Sequence, residues 1–414
     1  MPNMIGLKCI SCEREFSPEI IDYTCPNCGP LLGTLEVVYD FPAVKKILTR
    51  EKLAQNRNMS QWRYLPILPI NDPDKIQPLS VGWTPMYRSP SLENSLNLQR
   101  IWIKDDTRNP SGSLKDRASA IAVTRALEKG HKTVTAASSG NAAASLAAFG
   151  TLADLDTFIF VGNNTPKGKI AQLLLYGATV FKVNDSYDAA FDLCCQAAEK
   201  WGWYNRSTAI NPYLGEGKKT AALEVCEQLD WQVPDYLFVS VGDACIFQGM
   251  WKGFKDFYEI GLIDRLPKMI GVQGEHSAPL VHAWETGAAQ CEPLDAKTIA
   301  DSICVGIPRD QIKALKAVRE SGGRFISVTD GEMLSAISIL ARKAGILAEP
   351  GGAAPLAGLQ KMASEGLCTD QDTAVVMVTG HGLKDIEGVL KAVDQKEILV
   401  ENRLDEIASV INSG

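Results

Sequence analysis

Six short segments in this sequence of 414 residues hold residue types that could do chemistry. Cys9-Ile10-Ser11-Cys12 and, twelve residues later, Cys25-Pro26-Asn27-Cys28 form two C-x-x-C knuckles, each offering two thiolates from a tight turn. The span between them suffices for a hairpin, so Cys9, Cys12, Cys25 and Cys28 predict a zinc ribbon closed around a tetrahedral four-thiolate site. Such a site keeps no open position for water or substrate, and its expected role is structural. A degenerate ribbon that packs without metal is the alternative.

The other four segments read as turns between strands and helices. Lys115 sits in Asn109-Pro110-Ser111-Gly112-Ser113-Leu114-Lys115-Asp116-Arg117, a Gly/Ser turn running into a helix. Taken alone, that also describes a solvated helix-start lysine. Ala136-Ala137-Ser138-Ser139-Gly140-Asn141-Ala142 is a strand end, a turn of small residues and a helix start, where consecutive backbone N–H groups can bind a carboxylate. An ordinary helix capped by Ser139 or Asn141 fits it equally. In Val239-Ser240-Val241-Gly242-Asp243-Ala244-Cys245-Ile246-Phe247, Gly242 lets a ligand approach the backbone and the helix behind it favours a phosphate. One glycine is a weaker signal than a glycine-rich loop. Val378-Thr379-Gly380-His381-Gly382 sets two glycines at a strand end, where backbone can press on a flat ligand, and His381 reads as structural.

Taken in this order, Ser-x-Lys-Asp-Arg, Ser-Gly-Asn, a small-residue loop and Thr-Gly-His-Gly, the sequence resembles the threonine-synthase-like pyridoxal-phosphate enzymes of the tryptophan synthase beta superfamily. The resemblance extends to Asn211-Pro212 with Glu216-Gly217-Lys218-Lys219-Thr220, Trp251-Lys252-Gly253-Phe254, Gly271-Val272-Gln273 and Glu349-Pro350-Gly351-Gly352-Ala353. It implies a fold type II enzyme in which Lys115 carries the cofactor as a Schiff base and then moves the substrate's α-proton. It also implies that Asn141 bonds the cofactor's phenolic oxygen and that Ser138, Ser139, Gly140, Asn141 and Ala142 hold the substrate carboxylate. Gly242, Asp243, Ala244, Cys245 and Ile246 would clasp the cofactor phosphate, and Thr379 would face the pyridine nitrogen. A neutral hydroxyl there suits elimination and replacement at the β or γ carbon better than transamination.

Threonine synthases turn O-phosphohomoserine and water into threonine and phosphate, and four positions depart from what that implies. Where the family is expected to place a hydroxyl, a serine, an arginine and an asparagine around the leaving phosphate, this protein has Ala142, Ala209, Leu214 and Ile246. Ile307 stands where another asparagine is expected. Lys218 or Lys219 can supply a substitute cation. The expected activity is therefore a threonine-synthase-like lyase reaction. The alternatives are a paralogue acting on an unphosphorylated substrate, such as a serine/threonine dehydratase or β-substituting synthase, and a catalytically silent cofactor-binding protein, which the intact Lys115 disfavours.

The positioning elements follow from periodicity. Runs at 133–136, 157–161, 179–183, 236–241, 269–273, 324–328 and 374–378 read as strands, with helices at 142–149, 167–176, 187–200, 247–258 and 331–344 between them. Strand and helix in turn predict an α/β architecture with parallel sheets and ligand sites at the strands' carboxyl ends. We expect a zinc ribbon over 1–40, a large cofactor-binding domain from 41–117 and 208–414, and a small α/β domain over 118–207. Residues 41–55 look helical, Tyr64-Leu65-Pro66-Ile67-Leu68-Pro69 looks like a linker, and 395–410 looks like an amphipathic closing helix. A net charge of −7 and a pI near 5.4 offer no field for nucleic acid or anionic membranes. The partner expected is a small amino-acid substrate, with a homodimer by analogy of fold. No secretory signal or spanning segment is evident, and eleven cysteines suit reduced thiols in the cytoplasm better than disulfides.

Overall fold

The computed structural model describes residues 3–163, 165, 167–185 and 187–412. A small antiparallel sheet is built from β1 (Met4–Cys9), β2 (Glu15–Phe16) and β3 (Leu35–Tyr39), with β1 in the middle pairing Leu7 to Phe16 and to Val37. The larger sheet draws on β4 (Met86–Arg88) and β5 (Arg100–Asp105). A four-stranded sheet uses β6 (Thr133–Ala137), β7 (Asp156–Gly162), β8 (Thr179–Val183) and β9 (Tyr204–Asn205), and β10 (Tyr236–Ser240), β11 (Lys268–Gly274), β12 (Arg324–Val328) and β13 (Thr373–Val378) complete the larger one.

The four-stranded sheet has the order β8-β7-β6-β9 and is parallel throughout. The six-stranded sheet has the order β12-β11-β10-β13-β5-β4, parallel except at its β4 edge, where Tyr87 pairs with Ile103. Its central strands are buried on both faces, which is why β10 (Tyr-Leu-Phe-Val-Ser) and β13 (Thr-Ala-Val-Val-Met-Val) read as near-continuous apolar runs. The helices that frame the site are α1 (Lys115–Glu128), α2 (Asn141–Leu152), α3 (Leu214–Gln228), α4 (Cys245–Glu259) and α5 (Pro350–Ser364). α1 crosses residue 118 unbroken, so the expected boundary between 117 and 118 falls inside one helix.

Several expectations need correction. The Pro-rich stretch is no linker: Gln61–Ile67 is a 3-10 segment whose Gln61, Trp62, Arg63, Tyr64 and Ile67 are buried. Arg63 can be buried because its guanidinium bonds Glu227 at 3.0 Å and the Leu53 carbonyl at 2.9 Å and lies over the Trp83 ring. The helical region at 41–55 breaks into Phe41–Ile47 and Arg50–Gln55, with Thr49 capping the second by accepting from Lys52 N. The closing helix begins only at Leu404, and Leu399 and Leu404 ahead of and at its start are exposed. Strands β4, β5 and β9 were not expected. β5 is masked in sequence by Lys104 and Asp105, whose charges look superficial although both residues are buried.

Candidate active site

The turn before Lys115 is laid along the end of β13. Leu114 N donates to the Thr379 carbonyl at 2.9 Å, His381 N donates to the Gly112 carbonyl at 3.0 Å, and Gly112 supplies the positive φ (+82°) the turn requires. Asp116 ties the turn from inside, accepting from Ser111 N at 2.6 Å and Ser111 Oγ at 2.5 Å. His381 Nδ1 accepts from Leu383 N at 3.1 Å, the structural role expected of it. Beneath Lys115, Arg117 bridges Asp106 (2.7 Å) and Glu224 (2.5 Å), and Lys104 joins Glu224 at 2.6 Å, with all four side chains inaccessible to solvent. Burial alone would raise the Glu224 carboxyl, but Arg117 and Lys104 prevail and hold it at about 2.

Lys115 faces a cavity of about 850 Å³. The same cavity is lined by Ser138, Ser139, Gly140, Asn141 and Ala142, by Gly242, Asp243, Ala244, Cys245 and Ile246, and by Thr379. Turns far apart in sequence are thus gathered at the carboxyl ends of β6, β10 and β13, with the first residues of α2 and α4 opening on the space. Burial, followed by the nearby charges of Lys218 and Arg206, pushes the Lys115 amine down to about 8. Gly242 leaves little room for a side chain: a Cβ there would lie 3.0 Å from Ile303 Cα. The Asp243 carboxyl turns to Arg309 N at 3.4 Å, and Cys245 Sγ donates to Asp310 at 2.6 Å, so both side chains point toward the 309–310 segment. Thr379 Oγ1 lies 3.4 Å from Ser240 Oγ.

A family model described as "Pyridoxal-phosphate dependent enzyme" matches residues 78–380, which takes in every one of these cavity residues. Threonine synthase of Methanocaldococcus jannaschii is 41% identical over 94% of this chain and 95% of that protein; threonine synthase of Methanosarcina acetivorans is 39% identical over 99% of both. The protein belongs to the pyridoxal-phosphate-dependent enzymes, in their threonine-synthase-like group. Among solved structures, diaminopropionate ammonia lyase from Escherichia coli aligns over 90% of this chain and 94% of its own with a TM-score of 0.66 at 18% identity. Threonine deaminase isoform 2 from Solanum lycopersicum aligns over 79% and 95% with a TM-score of 0.63 at 19% identity. At that identity, these two establish the fold type II architecture alone.

Four residues of this pyridoxal-phosphate enzyme's cavity region were not assigned by sequence reasoning. Glu349, buried before α5, accepts from Asn141 Nδ2 at 3.0 and 3.1 Å, and its carboxyl is pushed up by burial, opposed by Asn141 and Lys115. Its signal lay in the Glu349-Pro350-Gly351-Gly352 motif, which carried no role. Arg206 and Asp310 had no local signal at all. Leu31, from the ribbon, reaches the cavity wall through the fold only. Of the apolar departures, Ala142, Ile246 and Ile307 line the cavity, whereas Ala209 and Leu214 are buried outside it.

The four cysteine sulfurs lie within 4.8 Å of one another, with Cys12 and Cys25 3.7 Å apart. That separation matches the edge of a tetrahedron with zinc–sulfur bonds of about 2.3 Å. The ribbon is tied to the body on two sides: Tyr39 donates to Glu216 at 2.7 Å and Lys313 to the Leu35 carbonyl at 2.8 Å, while Tyr23 accepts from Asn205 N at 2.8 Å and Asp22 pairs with Lys129. Among the described residues, no helix is long and apolar enough to cross a membrane.

Proposed function

We propose that this cavity catalyses elimination and replacement on a phosphorylated amino acid, converting O-phosphohomoserine and water to threonine and phosphate. The observation that carries the reading is the half-buried Lys115, its amine pushed down to about 8, at the meeting point of every ligand-facing turn. The residues present fit pyridoxal phosphate: Lys115 for its aldehyde, the backbone of Gly242 to Ile246 at the start of α4 for its phosphate, and Thr379 for its ring nitrogen. Asn141 has one amide hydrogen to spend on Glu349 and a second for the phenolic oxygen. When bound, the cofactor supplies an electron sink for the substrate's α-carbon.

The protein's own groups do the rest. The Ser138 to Ala142 turn orients the carboxylate with the N-terminus of α2 behind it. Lys115, in its free-amine form, takes the α-proton and holds it for return. The β-carbon then gives up a proton, and that bond's electron pair drives the γ-carbon–oxygen bond to break with its own pair leaving on phosphate; a proton adds to the γ-carbon, the oxygen of water bonds the β-carbon while its other proton goes to solvent, and Lys115 returns the α-proton. Thr379, being neutral, leaves the ring a moderate acceptor and so disfavours transamination.

We read Cys9, Cys12, Cys25 and Cys28 as a structural zinc site, the enzyme as cytoplasmic, and the assembly as a homodimer on fold analogy. Residues 118–207 are read as the small domain. A second reading has a specific observation behind it: Ala142, Ile246 and Ile307 give the cavity apolar wall where a phosphate would want donors, as in a dehydratase of serine or threonine. Measuring inorganic phosphate release from O-phosphohomoserine beside 2-oxoacid formation from serine and threonine decides between them. Phosphate release with little oxoacid is expected; oxoacid formation without phosphate release would overturn the first reading.

A further inference from the structure

Five lysines are buried at described positions, and four are paired with carboxylates. Lys104 reaches Glu224 at 2.6 Å, Lys219 reaches Glu216 at 2.5 Å and Asp256 at 2.7 Å, Lys252 reaches Asp256 at 3.3 Å, and Lys313 reaches Asp310 at 3.5 Å. Lys218 differs. It is 1% exposed and lines the cavity, and among the described residues no hydrogen bond or ion pair engages its amine. Asp243 and Asp310 face it only from beyond ion-pair distance. Lys218 stands where α3 and α4 cross closely, with Gly249 so near α3 that a Cβ there would lie 2.9 Å from the Gly215 carbonyl and 3.2 Å from Lys218 Cβ. Arg206, also 1% exposed, lines the same cavity and donates from Nε to Ser119 at 3.2 Å.

A buried ammonium without a partner is strongly unfavourable, so a site of this kind awaits an anion. The phosphate of the cofactor already has donors in the Gly242 to Ile246 backbone under the proposed function. We infer that Lys218, with Arg206 beside it, receives the phosphate of the substrate, replacing from a new position the binding that Ala142 and Ile246 cannot offer. The inference rests on the phosphorylated-substrate reading. Burial and then Arg206 push the Lys218 amine below the usual lysine range, so an arriving dianion draws a proton onto it as well.

The test compares wild type with Lys218→Met and Lys218→Arg, all loaded with cofactor. Three quantities are measured: kcat/KM for O-phosphohomoserine, the inhibition constant of inorganic phosphate, and the visible absorbance and affinity of the cofactor. Loss of one charge-assisted bond should lower kcat/KM for Lys218→Met by roughly 10- to 100-fold and weaken phosphate inhibition in parallel. Lys218→Arg should recover much of both, and cofactor content at saturating cofactor should not change. A Lys218→Met enzyme that keeps wild-type kcat/KM and phosphate inhibition overturns the inference while leaving the proposed function standing. A loss confined to cofactor affinity also overturns it, because the anion held would then be the cofactor's phosphate. Wild type that releases no phosphate fails at the earlier step, the substrate class itself. Should Lys218→Met not fold, Lys218→Gln and the phosphate titration of Lys218→Arg carry the same comparison.

Discussion

The amine of Lys115 should titrate near 8 rather than near its ordinary 10.5, and that difference sets how readily the apoprotein captures its cofactor. At pH 7, a pKa of about 8 leaves roughly 300 times more free amine than one of 10.5. The sign is fixed by the group: a depressed lysine is protonated and unreactive below 8 and free above it. The rate of cofactor capture should therefore rise about tenfold per pH unit below 8 and level off above it. Stopped-flow absorbance on stripped apoprotein measures the rate, and borohydride reduction followed by peptide mapping locates the bond. Free pyridoxal phosphate titrates in the same range, so a variant supplies the control. Lys218→Met removes the cation that, after burial, does most to depress Lys115, and its midpoint should move upward while that of the free cofactor cannot. A rate climbing without a break to pH 10, an unmoved midpoint in Lys218→Met, or a label on another lysine would refute the reasoning.

The buried network below Lys115 predicts a stability effect. Arg117→Leu strands Asp106 and Glu224 with only Lys104 between them and should cost about 3–5 kcal/mol, read as a lower melting temperature; a change under about 1 kcal/mol would show the network to be dispensable. Because Glu224 falls from 4.5 to about 2 on folding, it contributes about 3 kcal/mol above pH 4.5 that drains away as pH drops toward 2. Urea unfolding in that window should be less pH-dependent in a Glu224→Gln variant, and equal slopes would contradict the assignment. Metal analysis should find about one zinc per chain, lost together with several degrees of thermal stability in a Cys9→Ser, Cys12→Ser variant; metal-free wild type would remove the zinc. Leu214→Arg should not improve use of the phosphorylated substrate, because Leu214 is 1% exposed and lies outside the cavity. It should instead destabilise the fold, and a lower KM in that variant would show the cavity wall to be wrongly drawn.

Regular elements were legible wherever burial imposed a clean pattern. β10 and β13 are apolar along their length because both faces of the parallel sheet are covered, and the turns following β6, β10 and β13 announce themselves through small residues. Failures occurred where polar residues are buried in pairs. β5 ends in Lys104 and Asp105, and the stretch at 61–67 contains Arg63; Lys104 and Arg63 look like surface until Glu224 and Glu227 are brought across from elsewhere in the fold, while Asp105 is satisfied by Thr107 two residues on. The closing helix starts at Leu404 rather than at 395 for the opposite reason. Its apolar residues imply a covered face, but Ile398, Leu399 and Leu404 are exposed and lack the packing that stabilises a short amphipathic helix.

The same physics limits what motifs say about the site. Lys115, Asn141 and Thr379 lie in turns with distinctive small residues, so their positions can be read one segment at a time. Lys218 and Lys219 are adjacent in sequence and equally charged, and no pattern separates them. The fold does so by aiming Lys219 at Glu216 and Asp256 and over the Tyr39 ring, while Lys218 reaches the cavity wall with no carboxylate of the described residues within ion-pair distance. Whether a buried charge is structural or functional depends on the partner it lacks, and that is a property of three-dimensional neighbours. The substitution of apolar residues at Ala142 and Ile246 therefore does not by itself remove a phosphate from the substrate. It moves the question to Lys218, one turn beyond the buried Leu214 on the same helix.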